Sequence, residues 1–209
     1  MWVKVCGLTD AESVEAAVSA GADAVGFVFA PGSPRLVDAL VARDLAARAV
    51  TRAGARERQT GVLTVGVFRN QPVAEVARLA TEAGLDVVQL HGAETAADHA
   101  ALQALGWPTI RAMAARDYTR SVDAVPHPAD QLLLDAPEPG AGETFDGGHL
   151  VTEPPNREWI LAGGLTPRNV ADRIRELQPW GVDVSSGVEL APGRKSPELI
   201  AQFVAAARR

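Results

Sequence analysis

The chain has 209 residues, 47% apolar and 22% charged, proportions of a folded globular protein and too apolar for a disordered one. Twenty basic residues against 26 acidic leave a net charge of -6, and no Lys/Arg cluster marks a nucleic-acid track. A single cysteine, Cys6, excludes an internal disulfide framework and Cys-x-x-Cys metal sites, and points to a reducing compartment. Met1-Trp2-Val3-Lys4-Val5 lacks the charged and apolar regions of a signal peptide, and no apolar run is long enough to span a bilayer. A cytoplasmic protein without membrane or nucleic-acid partners is expected.

Taken in chain order, short apolar or β-branched runs predict eight strands. They are Trp2 to Cys6, Ala24 to Val28, Val62 to Val67, Asp86 to Gln89, Thr109 to Ala112, Gln131 to Leu134, Trp159 to Leu161, and Val182 to Val184. Between them, stretches with helical spacing run over Ala11 to Ala20, Val37 to Ala53, Val73 to Ala83, Thr95 to Leu105, Asn169 to Leu177 and Pro197 to Ala207. Asp117 to Val125 allows only a short helix before Pro126 and Pro128. Thr9-Asp10 reads as an N-cap, Thr166-Pro167 as a cap followed by proline at the first helical position, and Gly21, Gly84 and Gly106 as left-handed stops.

Most strand starts are about 22 to 28 residues apart, the length of one strand-loop-helix unit, so the sheet is expected to be parallel. An open doubly wound sheet would carry a Gly-x-Gly-x-x-Gly turn after its first strand, and none is present. The reading is an α/β fold, a (β/α)8 TIM barrel forming one domain over residues 1–209.

In such barrels the chemistry sits at the carboxyl ends of the strands. Cys6 ends the first strand, His91 follows the fourth, Asp135 ends the sixth, and Arg35 follows the second. Gly163-Gly164 and Ser185-Ser186-Gly187 follow the seventh and eighth, where this fold recurrently binds phosphate on backbone amides and helix N-termini. Each residue has a plainer alternative. Cys6 reads as a small buried hydrophobe, Asp135 as a rim acid, His91 as a hydrogen-bonded structural histidine or a base, and Arg35 as a solvated loop residue or a bidentate carboxylate clamp. Strand parity points Lys4 and Asp183 inward one layer below Cys6 and Ser185, as a buried structural pair.

Six ordered motifs resemble the phosphoribosylanthranilate isomerases of tryptophan biosynthesis: Lys4-Val5-Cys6-Gly7-Leu8-Thr9, Gly21 to Phe29, Val65-Gly66-Val67-Phe68, Val88-Gln89-Leu90-His91-Gly92, Leu161-Ala162-Gly163-Gly164-Leu165 and Val182 to Glu189. The resemblance implies an Amadori rearrangement of N-(5'-phosphoribosyl)anthranilate to 1-(2-carboxyphenylamino)-1-deoxyribulose 5-phosphate, with a small phosphosugar as partner and no cofactor or metal. It makes Asp135 the general acid and Cys6 the general base. It sets Arg35 against the anthranilate carboxylate, adds Gln89 and His91 as substrate-binding residues, and gives the phosphate to Gly163, Gly164, Ser185, Ser186 and Gly187.

Three stretches depart from the family pattern. The loop Pro139 to Gly147 lacks a glycine and a tryptophan of the family motif, Ser196 stands where the family carries an acid, and Arg52 to Arg58 is a basic insertion. Two alternatives remain open. A histidine-pathway or dual-substrate aminoaldose isomerase would carry aspartate at Cys6 and two similar half-barrels, and a silent phosphosugar-binding barrel would lack the acid or the base.

Overall fold

The computed structural model describes residues 1–54, 61–124, 129–135 and 148–209. The order is β1 (Trp2–Cys6), α1 (Ala11–Ala20), β2 (Ala24–Val28), α2 (Ala39–Gly54), β3 (Leu63–Phe68), α3 (Val73–Ala83), β4 (Val87–Leu90) and α4 (Ala96–Ala104). It continues with β5 (Thr109–Ala114), α5 (Arg120–Ala124), β6 (Gln131–Asp135), α6 (Gly148–Thr152), β7 (Trp159–Ala162), α7 (Val170–Leu177) and β8 (Gly181–Val184). A short hairpin, β9 (Glu189–Ala191) and β10 (Arg194–Lys195), precedes α8 (Pro197–Ala207). Strands β1 to β8 pair in sequence order, and β8 closes on β1 with Lys4 opposite Asp183. The sheet is a closed parallel barrel.

Closure explains why the strands read as continuous apolar runs rather than alternations, since both faces are covered. Val3, Val5, Val25, Phe27, Val88, Leu132, Leu134, Val182 and Val184 pack outward into one cluster with the helices. Their neighbours Ala24, Val65, Val87, Ile110, Leu133 and Ile160 fill the barrel interior. Cys6, Val28, Ala30 and Val67 form a small layer above them. Trp2 and Trp180, stacked with ring centroids 5.2 Å apart, lie at the amino-terminal ends of β1 and β8.

The local signals at helix ends act mostly as expected. Asp10 accepts a hydrogen bond from the Ser13 amide at 2.8 Å, and Gly21 closes α1 in the left-handed region at φ 94°. Thr95 and Asp98 form a reciprocal capping box on α4. Two starts differ. Leu36 bridges to Val28 of β2 and the Val37 amide donates to the Val28 carbonyl, so α2 begins only at Ala39. Thr166-Pro167 belongs to a turn before α7, whose cap is Asn169. The Asn169 side chain accepts from the Thr166 amide and donates to the Gly164 carbonyl instead of capping the helix.

The five-residue α6 and the hairpin β9-β10 are too short to leave a periodic signal. Residues 139–147 and most of the Arg52 to Arg58 stretch lie outside the described residues. Among the described residues no helix is long and apolar enough to cross a membrane.

Candidate active site

The inward-facing positions end, at the carboxyl rim, on polar groups: Cys6 on β1, Gln89 on β4, Asp135 on β6 and Ser185 after β8. Together with Arg35, His91, Gly163, Gly164, Ser186 and Gly187 they line one cleft of about 820 Å³ at that rim. Every site residue expected from the sequence is therefore on a single surface. Cys6 and Asp135 stand on strands separated by β7 and β8 around the barrel, and both line the cleft.

Beneath Cys6, the Lys4 ammonium donates to Asp183 at 2.8 Å, both side chains buried. Burial works against the charge on Lys4, but Asp183 and Cys6 together outweigh it and raise the Lys4 pKa. Gly26, opposite Cys6 on β2, makes room: a Cβ there would sit 2.8 Å from the Cys6 sulfur and 3.2 Å from the Lys4 Cε. Burial pushes the Cys6 thiol up, and although Lys4 pulls toward thiolate, Asp183 opposes it and the net direction remains up. An inward cation near Cys6 would by itself favour thiolate. Here that pull is outweighed, because Lys4 is paired with Asp183 and the sulfur is largely buried.

The Asp135 carboxylate meets His91 Nε2 at 3.1 Å, and His91 Nδ1 lies 3.0 Å from the Gln89 amide nitrogen. With Gln89 donating, a neutral imidazole protonated on Nε2 satisfies both contacts, so His91 orients Asp135 as well as lining the cleft. Gln89 Oε1 and Asp183 Oδ1 are buried acceptors without partners among the described residues, and both residues line the cleft.

The two glycine loops pack on each other. Gly163 and Gly164 take left-handed conformations, φ 82° and 61°. A Cβ on Gly187 would fall 1.8 Å from the Leu165 carbonyl oxygen, so only glycine permits the approach. The helix contribution expected here is smaller than the sequence suggests. The loop after β8 enters one three-residue 3-10 turn, Ser186–Val188, and α7 begins only at Val170. Backbone amides rather than a long helix dipole are what these loops offer an anion.

Arg35 lines the cleft, and its guanidinium donates side-on to Glu189, Nε to Oε1 and Nη2 to Oε2, both at 2.7 Å. The Lys195 ammonium donates to Glu189 Oε1 at 2.8 Å, and to the carbonyl and hydroxyl oxygens of Ser185 at 3.0 and 3.2 Å.

A profile of the N-(5'-phosphoribosyl)anthranilate (PRA) isomerase family matches residues 3–206. The chain belongs to that family. It is 44% identical to N-(5'-phosphoribosyl)anthranilate isomerase of Paracoccus denitrificans, over 98% of this chain and 96% of the relative. Among solved structures it resembles phosphoribosyl anthranilate isomerase from Thermus thermophilus (39% identity, TM-score 0.83, covering 100% of this chain and 98% of that one). It also resembles an isomerase solved with reduced 1-(o-carboxyphenylamino)-1-deoxyribulose 5-phosphate (33% identity, TM-score 0.79, 100% and 98%).

Membership of the isomerase family gives the departure at Ser196 a physical account. Ser196 is the N-cap of α8, its hydroxyl accepting from the Leu199 amide at 3.2 Å with Pro197 at the helix start. Aspartate and serine are among the strongest N-cap residues, so the exchange preserves the helix start. Sequence patterns assign no site role to Glu189 or Lys195, although Glu189 closes the motif that begins at Val182. The Pro192-Gly193 dipeptide between two short runs is the available signal for the hairpin that carries both.

The state of Cys6 can be read chemically. The thiolate is the form that alkylates, and burial keeps it scarce at neutral pH. Iodoacetamide labelling is expected to be slow near pH 7 and to accelerate about tenfold per pH unit toward pH 9. Rapid labelling at pH 7, followed by intact mass, would contradict a protonated, buried sulfur.

Proposed function

We propose that this chain catalyses the Amadori rearrangement of N-(5'-phosphoribosyl)anthranilate to 1-(2-carboxyphenylamino)-1-deoxyribulose 5-phosphate in tryptophan biosynthesis. The observation that carries the reading is a thiol and a carboxylic group on different strands of one cleft, together with two glycine loops suited to a phosphate. Asp135 delivers a proton to the furanose ring oxygen, the C1'–O bond breaks, and the nitrogen lone pair forms an iminium at C1'. Cys6 removes the C2' proton, and the electron pair flows to the iminium nitrogen to give an enolamine. Tautomerisation, with a proton gained at C1' and one lost from the C2' hydroxyl, yields the ketone.

The order of these steps suits the electrostatics. Burial holds the Cys6 thiol protonated before ring opening, so its proton must first leave to solvent; the positive iminium and Lys4 both favour that loss, and the resulting thiolate then takes the C2' proton. The iminium is itself the electron sink, so this reading calls for no cofactor. Gln89 Oε1 and Asp183 Oδ1 are acceptors suited to the hydroxyl donors of an opened sugar.

The test is a fluorescence assay following loss of phosphoribosylanthranilate generated in situ, repeated with the histidine-pathway aminoaldose. Turnover of the first alone is expected, and turnover of the second alone would overturn the assignment. The role of Arg35 is tested separately. Arg35→Ala removes a charge-assisted contact present in ground and transition states alike, so KM is expected to rise about tenfold or more while kcat changes less. A collapsed kcat with unchanged KM would place Arg35 in the chemistry instead.

A further inference from the structure

Arg35, Glu189 and Lys195 form a cluster of two cations and one anion joined through Glu189 Oε1, which accepts from Arg35 Nε at 2.7 Å and from Lys195 Nζ at 2.8 Å. Lys195 has a fully buried side chain, Glu189 is 5% exposed and Arg35 22% exposed. Among the residues described, only Arg35 of the three lines the cleft. The cluster sits on a built support. A Cβ on Gly193, in the hairpin turn, would fall 2.5 Å from the Pro34 carbonyl oxygen, so the hairpin presses on the residue preceding Arg35. A Cβ on Gly7 would likewise meet the Arg35 Cδ at 2.5 Å, so the arginine stem lies directly against the loop after β1.

A guanidinium has two edges able to grip a carboxylate: Nε with one Nη, and the two Nη atoms end-on. Glu189 takes the first. Among the described residues no contact takes the end-on edge, which leaves it for a ligand, but a bare Arg35–Glu189 pair is neutral and would bring a negative charge next to any incoming carboxylate. Lys195 restores the balance. With it, the cluster carries one net positive charge, and the lysine itself stays out of the cleft.

We propose that Lys195 is a positioning residue that neutralises Glu189, so that Glu189 can hold Arg35 side-on while the arginine keeps both its charge and its end-on edge for the substrate carboxylate. This rests on the isomerase reading, in which Arg35 meets the anthranilate carboxylate. The competing role is support of the phosphate loop, because Lys195 also donates to Ser185.

Lys195→Met separates the two. Binding is measured by calorimetry for reduced 1-(o-carboxyphenylamino)-1-deoxyribulose 5-phosphate and for its phenyl counterpart, which keeps the phosphate and lacks the carboxylate. Affinity for the first is expected to fall on the order of tenfold and for the second by less than about twofold. KM should rise by a factor similar to the first, with a smaller change in kcat. In an Arg35→Met background, adding Lys195→Met should weaken the carboxylate ligand by less than about twofold, as coupled residues require. Equal weakening of both ligands, or full additivity with Arg35→Met, would overturn the proposal. Lys195→Gln, which keeps a donor without the charge, gives the same readout should the methionine variant not fold. Parent enzyme assayed in parallel keeps the two questions apart: a parent without turnover counts against the isomerase reading itself.

Discussion

Replacing Cys6 by alanine is expected to lower kcat by about 10²- to 10⁴-fold while leaving the barrel and substrate binding nearly intact. The loss follows from the proposed chemistry. Abstraction of the C2' proton needs a base, and in the cleft that Asp135 also lines, β1 presents Cys6. The cost to the fold is small, because the sulfur belongs to a thin apolar layer with Val28, Ala30 and Val67 that lines the cleft rather than to the main core. A shift in melting temperature of no more than about 4 °C is expected for a chain of this size. Steady-state kinetics with a thermal melt as control decide the matter. A variant within about threefold of the parent would point to another base, and His91, at 3.1 Å from Asp135, is the first to examine.

Asp135→Asn should lower kcat by a comparable factor, about 10²- to 10⁴-fold, with a much smaller change in KM. Asparagine keeps the size of the side chain and an oxygen able to accept from His91 Nε2, so the Gln89–His91 arm of the site is preserved. What it lacks is an acidic proton for the ring oxygen. Binding of the reduced product analogue, measured alongside turnover, should stay within about threefold of the parent if the shape is kept. Near-parent kcat would mean that ring opening draws its proton from elsewhere, even with the isomerase assignment standing.

Much of this site is legible in the order of the amino acids alone. The period of two along each strand gives Lys4 the facing of Cys6 on the first strand, and Asp183 the facing of Ser185 on the eighth. The closure of eight units then brings those faces together, so the Lys4–Asp183 contact follows from parity and topology alone. The same reasoning puts Cys6, His91, Asp135 and both glycine loops on one rim, since strand ends are local features and a parallel barrel collects them on one side.

Other features depend on where side chains reach after the barrel has closed. Arg35 and Glu189 are 154 positions apart, and no spacing rule says that the guanidinium turns to Glu189 and shares it with Lys195. His91 joins Asp135 across 44 positions, through the direction of one imidazole ring. The Cys6 side chain is largely buried at the cleft wall, and Asp183 opposes the pull of the neighbouring Lys4, so the thiol moves opposite to the direction that a nearby lysine suggests. Hydrophobic periodicity and turn residues are properties of adjacent positions, and they determined the architecture. Burial and charge pairing are properties of the packed interior, and only the tertiary structure decided them.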